Sequence, residues 1–119
     1  MTDSKDLKDR TKRFAVEVIR IVDKFPRSIS SEVIARQLVK AATSVGANYR
    51  AACRAKSSAD FINKLKIVEE ELDESLYWME LLIDAKILTE HLLDELMKEG
   101  NELLSIVVSS IITAKRKTK

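Results

Sequence analysis

The chain has 119 residues, of which 45% are hydrophobic and 34% charged, and its formal net charge is +2. This composition predicts one domain with a buried core, and no apolar run approaches the ~20 residues that span a bilayer. The charged start MTDSKDLKDR lacks an apolar secretory core, so we expect a cytoplasmic protein that does not enter a membrane. The single cysteine, Cys53, cannot form an internal disulfide, and we expect a buried, reduced thiol.

The first predicted helix spans about residues 4–24. Its apolar residues recur in steps of three and four, which places them on one helical face. Pro26 ends the helix, because the residue before a proline avoids the helical region. Ser30 or Ser31 is then placed to cap a second helix, with the carboxylate of Glu32 in its first turn.

The second predicted helix continues to about Ala55 and has two contrasting faces. On one face, Ala42 and Gly46 form a small-residue step that lets another helix approach closely. The other face carries a row of cations, which is the one candidate surface for nucleic acid, because phosphate binding needs several cations together. Solvation, or docking onto acidic residues of a neighbouring copy, would also explain this row. The candidate residues are Arg36, Lys40, Arg50, Arg54, Lys56 and Lys64.

Ser57 and Asp60 form a capping box that starts a third helix. From Phe61 to Leu82, apolar residues repeat on a strict 4-3 pattern, which is typical of a bundle seam. Polar side chains lie where the second and third helices should meet, and half-buried carboxylates there need partners. We therefore predict a buried polar network. Its members are Gln37, Ser44, Asn48, Glu71 and Glu74.

The fourth predicted helix follows a cap at Thr89 and continues to about Ala114, which leaves a frayed basic tail over residues 115–119. Its apolar residues cover an arc of roughly 240°, far wider than the ~100° stripe of a surface helix. We interpret this excess, and a second apolar row on the third helix, as a contact between subunits. The predicted interface residues are Ile67, Trp78, Leu81, Ile106, Val108 and Ile112.

The small net charge hides a strong segregation of charge along the chain. Residues 26–67 carry eight basic and two acidic side chains, whereas residues 68–102 carry two basic and twelve acidic side chains. Such blocks can steer partners, including other copies of the same chain.

The sequence offers no motif for catalysis or metal binding. A di-iron bundle would need two Glu-x-x-His pairs, but the chain has one histidine, His91, and Leu88 stands at the position of the glutamate. Glycine-rich nucleotide loops, HExxH and paired cysteines do not occur. We therefore expect no catalytic residue, no cofactor and no metal site.

Several segments together carry a family resemblance. In chain order they are Phe25-Pro26, Gln37-Leu38, Ala41 to Arg50, Ala55-Lys56-Ser57, Asp60-Phe61, Lys64-Leu65, Glu71, Glu74 and Tyr77-Trp78. In their order and spacing, the chain resembles the 23S rRNA-intervening-sequence proteins, also called S23 ribosomal proteins. It differs at Ala51 and Ala52, where many relatives have a glutamate.

This resemblance implies a left-handed antiparallel bundle of four helices, often assembled as a ring of five, with no enzymatic activity established for the family. A related basic bundle, the accessory protein of diversity-generating retroelements, binds nucleic acid and a reverse transcriptase.

Residues and resemblance together predict an all-α protein with one domain over residues 1–119. The expected architecture is an up-down-up-down four-helix bundle that forms a ring-like homo-oligomer, a pentamer by resemblance. The expected function is a non-enzymatic scaffold or adaptor, whose partners are its own copies and RNA, DNA or an enzyme that acts on nucleic acid. The alternative is an enzyme or small-ligand binder whose site forms between subunits.

Overall fold

Four long α-helices make up the computed structural model, which describes residues 3–117. They are α1 (Ser4–Val22), α2 (Ile29–Cys53), α3 (Ser58–Asp84) and α4 (Glu90–Lys117). Short connections reverse the chain after each helix, so neighbouring helices are antiparallel. Each helix packs against its neighbours in sequence, and α1 closes the bundle against α4 through the smallest of the four interfaces. The predicted all-α four-helix bundle is confirmed, with extents of 49 × 22 × 21 Å.

Side-chain caps fix the starts of three helices. The Asp3 carboxylate accepts a hydrogen bond from the Asp6 amide at 2.8 Å, and the Ser57 hydroxyl accepts one from Asp60 at 3.1 Å, as the capping box predicts. The prediction for α2 is wrong by two or three residues, because Ser28 is the cap. Ser28 has an extended backbone, and its hydroxyl accepts from the Ser31 amide at 3.2 Å.

The predicted basic tail is also partly wrong, because α4 continues through Lys117. Cations in the last turn of a helix interact favourably with the unpaired carbonyl groups there, which stabilises the helical end. Residues 118 and 119 lie outside the described part of the chain.

The hydrophobic core runs the length of the bundle. The 4-3 seam of α3 is buried from Leu65 through Leu72 to Leu82, while Phe61 at its start is only partly buried. We expected the Asn48 side chain of α2 in the core, but it is only half-buried, and the neighbouring Tyr49 packs into the core instead. The rotation of α2 about its axis therefore buries the larger Tyr49 side chain and leaves the adjacent polar Asn48 partly accessible.

An ion pair ties α1 to α4. The Arg10 guanidinium donates from Nε to Glu99 Oε2 at 3.0 Å and from Nη2 to Glu99 Oε1 at 2.6 Å. Its Nη2 atom also lies 3.1 Å from Glu102 Oε1. Hydrogen bonding to Glu99 is the main reason that the Arg10 pKa lies above its ordinary value, despite the opposing effect of burial. This two-point geometry is the strong form of an arginine–carboxylate pair.

The two glycines sit in unlike surroundings. A Cβ atom at Gly100 would lie 3.0 Å from Leu76 Cδ2 and 3.3 Å from Phe14 Cε1. A Cβ atom at Gly46 would face the backbone of Thr11 on α1, with its nearest atom at 3.5 Å, an ordinary contact distance. Gly100 therefore makes room for packed side chains, whereas Gly46 is a helix position that alanine can occupy.

We predict that alanine stabilises the protein more at Gly46 than at Gly100. Gly46→Ala should raise the free energy of unfolding by about 0.5–1 kcal/mol, because alanine is the better helix former. Gly100→Ala should gain less or lose stability, because Leu76 and Phe14 must shift. Urea denaturation of both variants measures the difference, and equal gains would contradict this account of Gly100.

Candidate nucleic-acid interface

A groove between α1 and α2 has cations on both sides. Its volume is about 590 Å³, and small residues such as Ala15 and Ala47 are part of its lining. Among residues 3–117, Asp9 is the one carboxylate that lines it. The lining cations are Lys5, Lys8, Lys12, Arg50 and Arg54. We call this feature the α1–α2 groove.

Helix geometry explains how the α1 lysines come to the groove. Lys5, Lys8 and Lys12 are three and four residues apart, so they lie on one face of α1. The α1 backbone at Thr11 faces Gly46 of α2, which holds this lysine face beside Arg50 one turn later. Sequence reasoning missed these lysines, although their spacing was the signal that could have found them.

The structure does not bring the six predicted nucleic-acid residues together. Arg50 and Arg54 line the α1–α2 groove, whereas Lys56 lines a smaller cavity at the end of the bundle, with Tyr49 and Phe61. The remaining three lie elsewhere: Arg36 and Lys40 are exposed on the first half of α2, and Lys64 is half-buried on α3. Cations that share one face of α2 still lie far apart along the helix axis, because each residue adds about 1.5 Å.

Charge is also divided along the bundle axis. The first residues of α1 and α3 share one end with the last residues of α2 and α4, because successive helices are antiparallel. Residues 3–16, 43–67 and 104–117, which approach this basic end, carry thirteen basic and four acidic side chains. The other described residues, toward the acidic end, carry seven basic and fifteen acidic side chains.

The predicted buried polar network does not form between α2 and α3 among residues 3–117. Asn48 Nδ2 donates to the Ser44 carbonyl of its own helix at 2.9 Å. Glu74 is exposed and accepts a hydrogen bond from Trp78 Nε1 at 3.2 Å, again within one helix. Gln37, Ser44, Asn48 and Glu71 are half-buried. Water can reach these groups, so cross-helix partners are not required.

Glu71 nevertheless has a perturbed carboxyl group. Burial is the largest cause of its raised pKa, and the nearby negative charges of Glu74 and Glu70 raise the pKa further. The positive charge of the Lys40 ammonium on α2 opposes the shift.

The expectation of a buried Cys53 thiol is wrong, because Cys53 is exposed. It is the last residue of α2 and lines the α1–α2 groove, where no further helical turn covers it. Tyr49 lies one turn earlier on α2 and is buried. Burial is the main reason that the pKa of Tyr49 rises above its ordinary value, and the interaction with Cys53 adds to the rise.

The described residues offer no metal site or Cys–His pair. Within residues 3–117, no three His, Cys, Asp or Glu side chains converge in a way that could hold a metal ion. His91 begins α4 at the acidic end, whereas Cys53 ends α2 at the basic end, so the two cannot meet within one chain. None of the described helices is long and apolar enough to cross a membrane.

The predicted subunit-interface residues remain partly accessible. Ile112 is 47% exposed, and Ile67, Trp78, Leu81, Ile106 and Val108 are half-buried. Sequence reasoning missed three apolar residues that are more exposed than these: Ile29 at 86%, Val33 at 54% and Tyr77 at 53%.

Comparison with known proteins places this structure in context. A family model described as 23S rRNA-intervening sequence protein matches residues 5–109. Among solved structures, the chain is similar to a protein of unknown function from the S23 ribosomal protein family of Bacteroides thetaiotaomicron VPI-5482. The two share 33% sequence identity with a TM-score of 0.84, over 91% of this chain and 96% of that chain. No curated protein matches.

The raised pKa of Glu71 predicts a pH-dependent effect on stability. A carboxyl group whose pKa is higher in the folded state stabilises the fold at low pH, and this contribution is lost as pH rises through the folded-state pKa. Glu71→Gln imitates the protonated group, so it should raise Tm at pH 7. The gain should disappear below the ordinary glutamate pKa of about 4.3.

Thermal unfolding across pH 3–8 measures this effect. Glu80→Gln, an exposed position on the same helix, is the matched control. The same change in Tm for both variants at every pH would contradict a special environment at Glu71.

Proposed function

Since the chain belongs to the family of 23S rRNA-intervening sequence proteins, we propose that it is a non-enzymatic scaffold that self-assembles and binds nucleic acid. The observation that carries this proposal is the α1–α2 groove, which the described part of the chain lines with five cations and one carboxylate. Clustered lysine and arginine side chains gain affinity for nucleic acid by neutralising phosphates and releasing their counterions. RNA is the ligand we test first.

The composition of the groove favours recognition of the nucleic-acid backbone over recognition of bases. No aromatic side chain of the described residues lines it, and Tyr49 nearby is 5% exposed. Proteins that hold single strands by their bases stack them on exposed aromatic rings. Lys5 and Lys12 are separated by about 10 Å along α1, a length that spans a few successive phosphates. We therefore propose binding that depends strongly on salt and weakly on sequence.

The charge division along the bundle supports a single orientation of the ligand. At physiological salt, charges are screened over about 8 Å, far less than the bundle's length, so each end acts on a ligand separately. A polyanion is therefore attracted to the basic end and repelled by the acidic end. This division of charge supports the scaffold role that we propose. One end of each subunit holds nucleic acid, and the remaining surface is available for other copies or for an enzyme that acts on nucleic acid.

Self-assembly is supported by the apolar residues that one chain leaves in contact with water. Ile29, Val33, Tyr77 and Ile112 are each about half exposed or more. Contiguous exposed apolar surface commonly marks a contact between proteins. We propose a closed ring of identical subunits, and five is the number that the family resemblance implies.

Nucleic-acid binding is tested by removing three cations from the groove. Lys8→Ser/Arg50→Ser/Arg54→Ser should weaken binding of a fluorescently labelled single-stranded RNA and reduce its salt dependence. The slope of log affinity against log salt should fall by about 0.7 for each phosphate that the variant no longer neutralises. Fluorescence anisotropy over a series of salt concentrations measures both effects.

The matched control removes three exposed cations elsewhere, with Arg20→Ser/Lys24→Ser/Arg27→Ser. This variant has the same net charge and should keep the wild-type salt slope. The proposal fails if the wild-type protein does not bind RNA at low salt, or if the two triple variants lose affinity equally.

Self-assembly is tested by measuring mass in solution. Sedimentation velocity of the wild-type protein should give one species larger than the 13.5 kDa chain. Val33→Glu should shift the protein to smaller species, because it puts a charge into the exposed apolar surface of α2 that we expect another copy to cover. Ile19→Glu on α1, where the side chain is 44% exposed, should leave the mass unchanged. A monomeric wild type would overturn the assembly proposal.

A further inference from the structure

An aromatic pair on α3 presents an ordered apolar surface. The rings of Tyr77 and Trp78 lie edge to face, with centroids 5.2 Å apart and planes at 67°. The Trp78 Nε1–H donates to the Glu74 carboxylate one turn earlier, at 3.2 Å. This hydrogen bond orients the indole and satisfies its polar group, so the ring can be covered without leaving a donor unpaired.

The beginning of α2 extends this surface. Because α2 ends at Cys53, α3 begins at Ser58 and the two helices are antiparallel, the residue twenty positions before Cys53 is level with the residue twenty positions after Ser58. These residues are Val33 and Trp78. The apolar surface therefore continues across both helices. We call it the aromatic patch, and its members are Ile29, Val33, Tyr77, Trp78 and Leu81.

Acidic residues surround the α3 part of the aromatic patch. Residues 68–84 contain seven carboxylates and no basic side chain. Glu74 and Asp84, on either side of the aromatic pair along α3, are both exposed. A complementary surface must therefore offer apolar groups together with cations.

Such a surface exists on the same chain, at the basic end. A cleft of about 780 Å³ lies between the start of α3 and the end of α4, and Phe61, Ile106 and Ala114 are among its lining residues. Ser109 is exposed along the cleft, and Lys117 also lines it. We call it the α3–α4 cleft.

Unequal helix lengths explain why this cleft is open. Arg10 of α1 pairs with Glu99 and Glu102 of α4, and α1 begins only six residues before Arg10. It therefore extends less than two turns beyond the ion pair. By contrast, α4 continues for fifteen residues past Glu102, so its last turns have no α1 beside them.

We propose that the aromatic patch of one subunit docks into the α3–α4 cleft of a second copy. This inference rests on the self-assembly proposed above and names the two faces involved. The carboxylates around the patch meet the cations at the end of α4, and the large apolar side chains of the patch enter a partly apolar cleft. The two faces are different surfaces of the chain, so the contact is heterologous and can close into a ring.

The second copy is the occupant that the charges favour, because each chain carries both complementary surfaces. In this arrangement the acidic half of one subunit approaches the basic half of the next. The residues that line the α1–α2 groove belong to neither face, so assembly leaves the groove accessible to nucleic acid.

Site-directed cross-linking tests this contact. In a Cys53→Ser background, Val33→Cys places a thiol in the patch and Ser109→Cys places one in the cleft. Both changes are small and both positions are exposed. The two single-cysteine proteins, one with a larger tag, are mixed, exchanged and treated with a short bismaleimide. We expect a covalent heterodimer in the mixture, with at least tenfold less cross-linked product from either protein alone.

Thr43→Cys, an exposed position in the α1–α2 groove, replaces Ser109→Cys in the control mixture and should give no heterodimer. A chain that carries both Val33→Cys and Ser109→Cys should give a ladder of covalent oligomers. Equal cross-linking of the Val33→Cys protein with itself would overturn the heterologous contact.

Sedimentation of the same proteins separates the two proposals. If they assemble but the mixture gives no heterodimer, this interface is wrong and self-assembly stands. If the wild-type protein and both cysteine variants sediment as monomers, self-assembly fails and this inference fails with it.

Discussion

The reversal of chain direction after each helix decides where the chemistry of this protein accumulates. Because α1 and α3 begin where α2 and α4 end, lysines near residue 5 and arginines near residue 54 share one end of the bundle. Within residues 3–117, no salt bridge between these lysines or arginines and a carboxylate brings them there. Their meeting follows from helices of similar length joined by short connections, and the core that buries Leu38, Leu72 and Leu103 holds this alignment.

Periodicity and capping made the architecture predictable. The 4-3 seam of α3 and the Ser57 cap depend on neighbours within one or two helical turns, and both are present in the structure. The cap of α2 was misplaced because three serines follow Pro26 closely, and each has the chemistry to cap. Local pattern cannot choose between Ser28 and Ser30 when the choice depends on how the loop leaves α1.

The candidate site was less predictable because it depends on contacts between helices. Arg50 and Arg54 were visible as cations on one face of α2, but their partners come from α1, at the other end of the sequence. Cys53 illustrates the same limit. A lone cysteine near small residues suggests burial, yet its exposure depends on α2 ending at that residue. Likewise, the charge of Lys40 on α2 acts on the Glu71 carboxyl of α3, and the pattern within a single helix does not contain such an effect between helices.

The Arg10 ion pair holds together the α1–α4 interface, which is the smallest of the four helix interfaces. Because α1 has its smallest interface with α4, the α1–α4 seam is the natural place for a sub-global opening that leaves the α2–α3 hairpin folded. The same helix supplies three of the five cations in the α1–α2 groove. A ligand that requires the closed form would stabilise it by about 2.7 kcal/mol at one hundred times its Kd. The backbone amide hydrogens of α1 would then exchange with solvent more slowly as ligand fills the groove. Their protection would report ligand binding, although these amides are not themselves exposed on the groove surface.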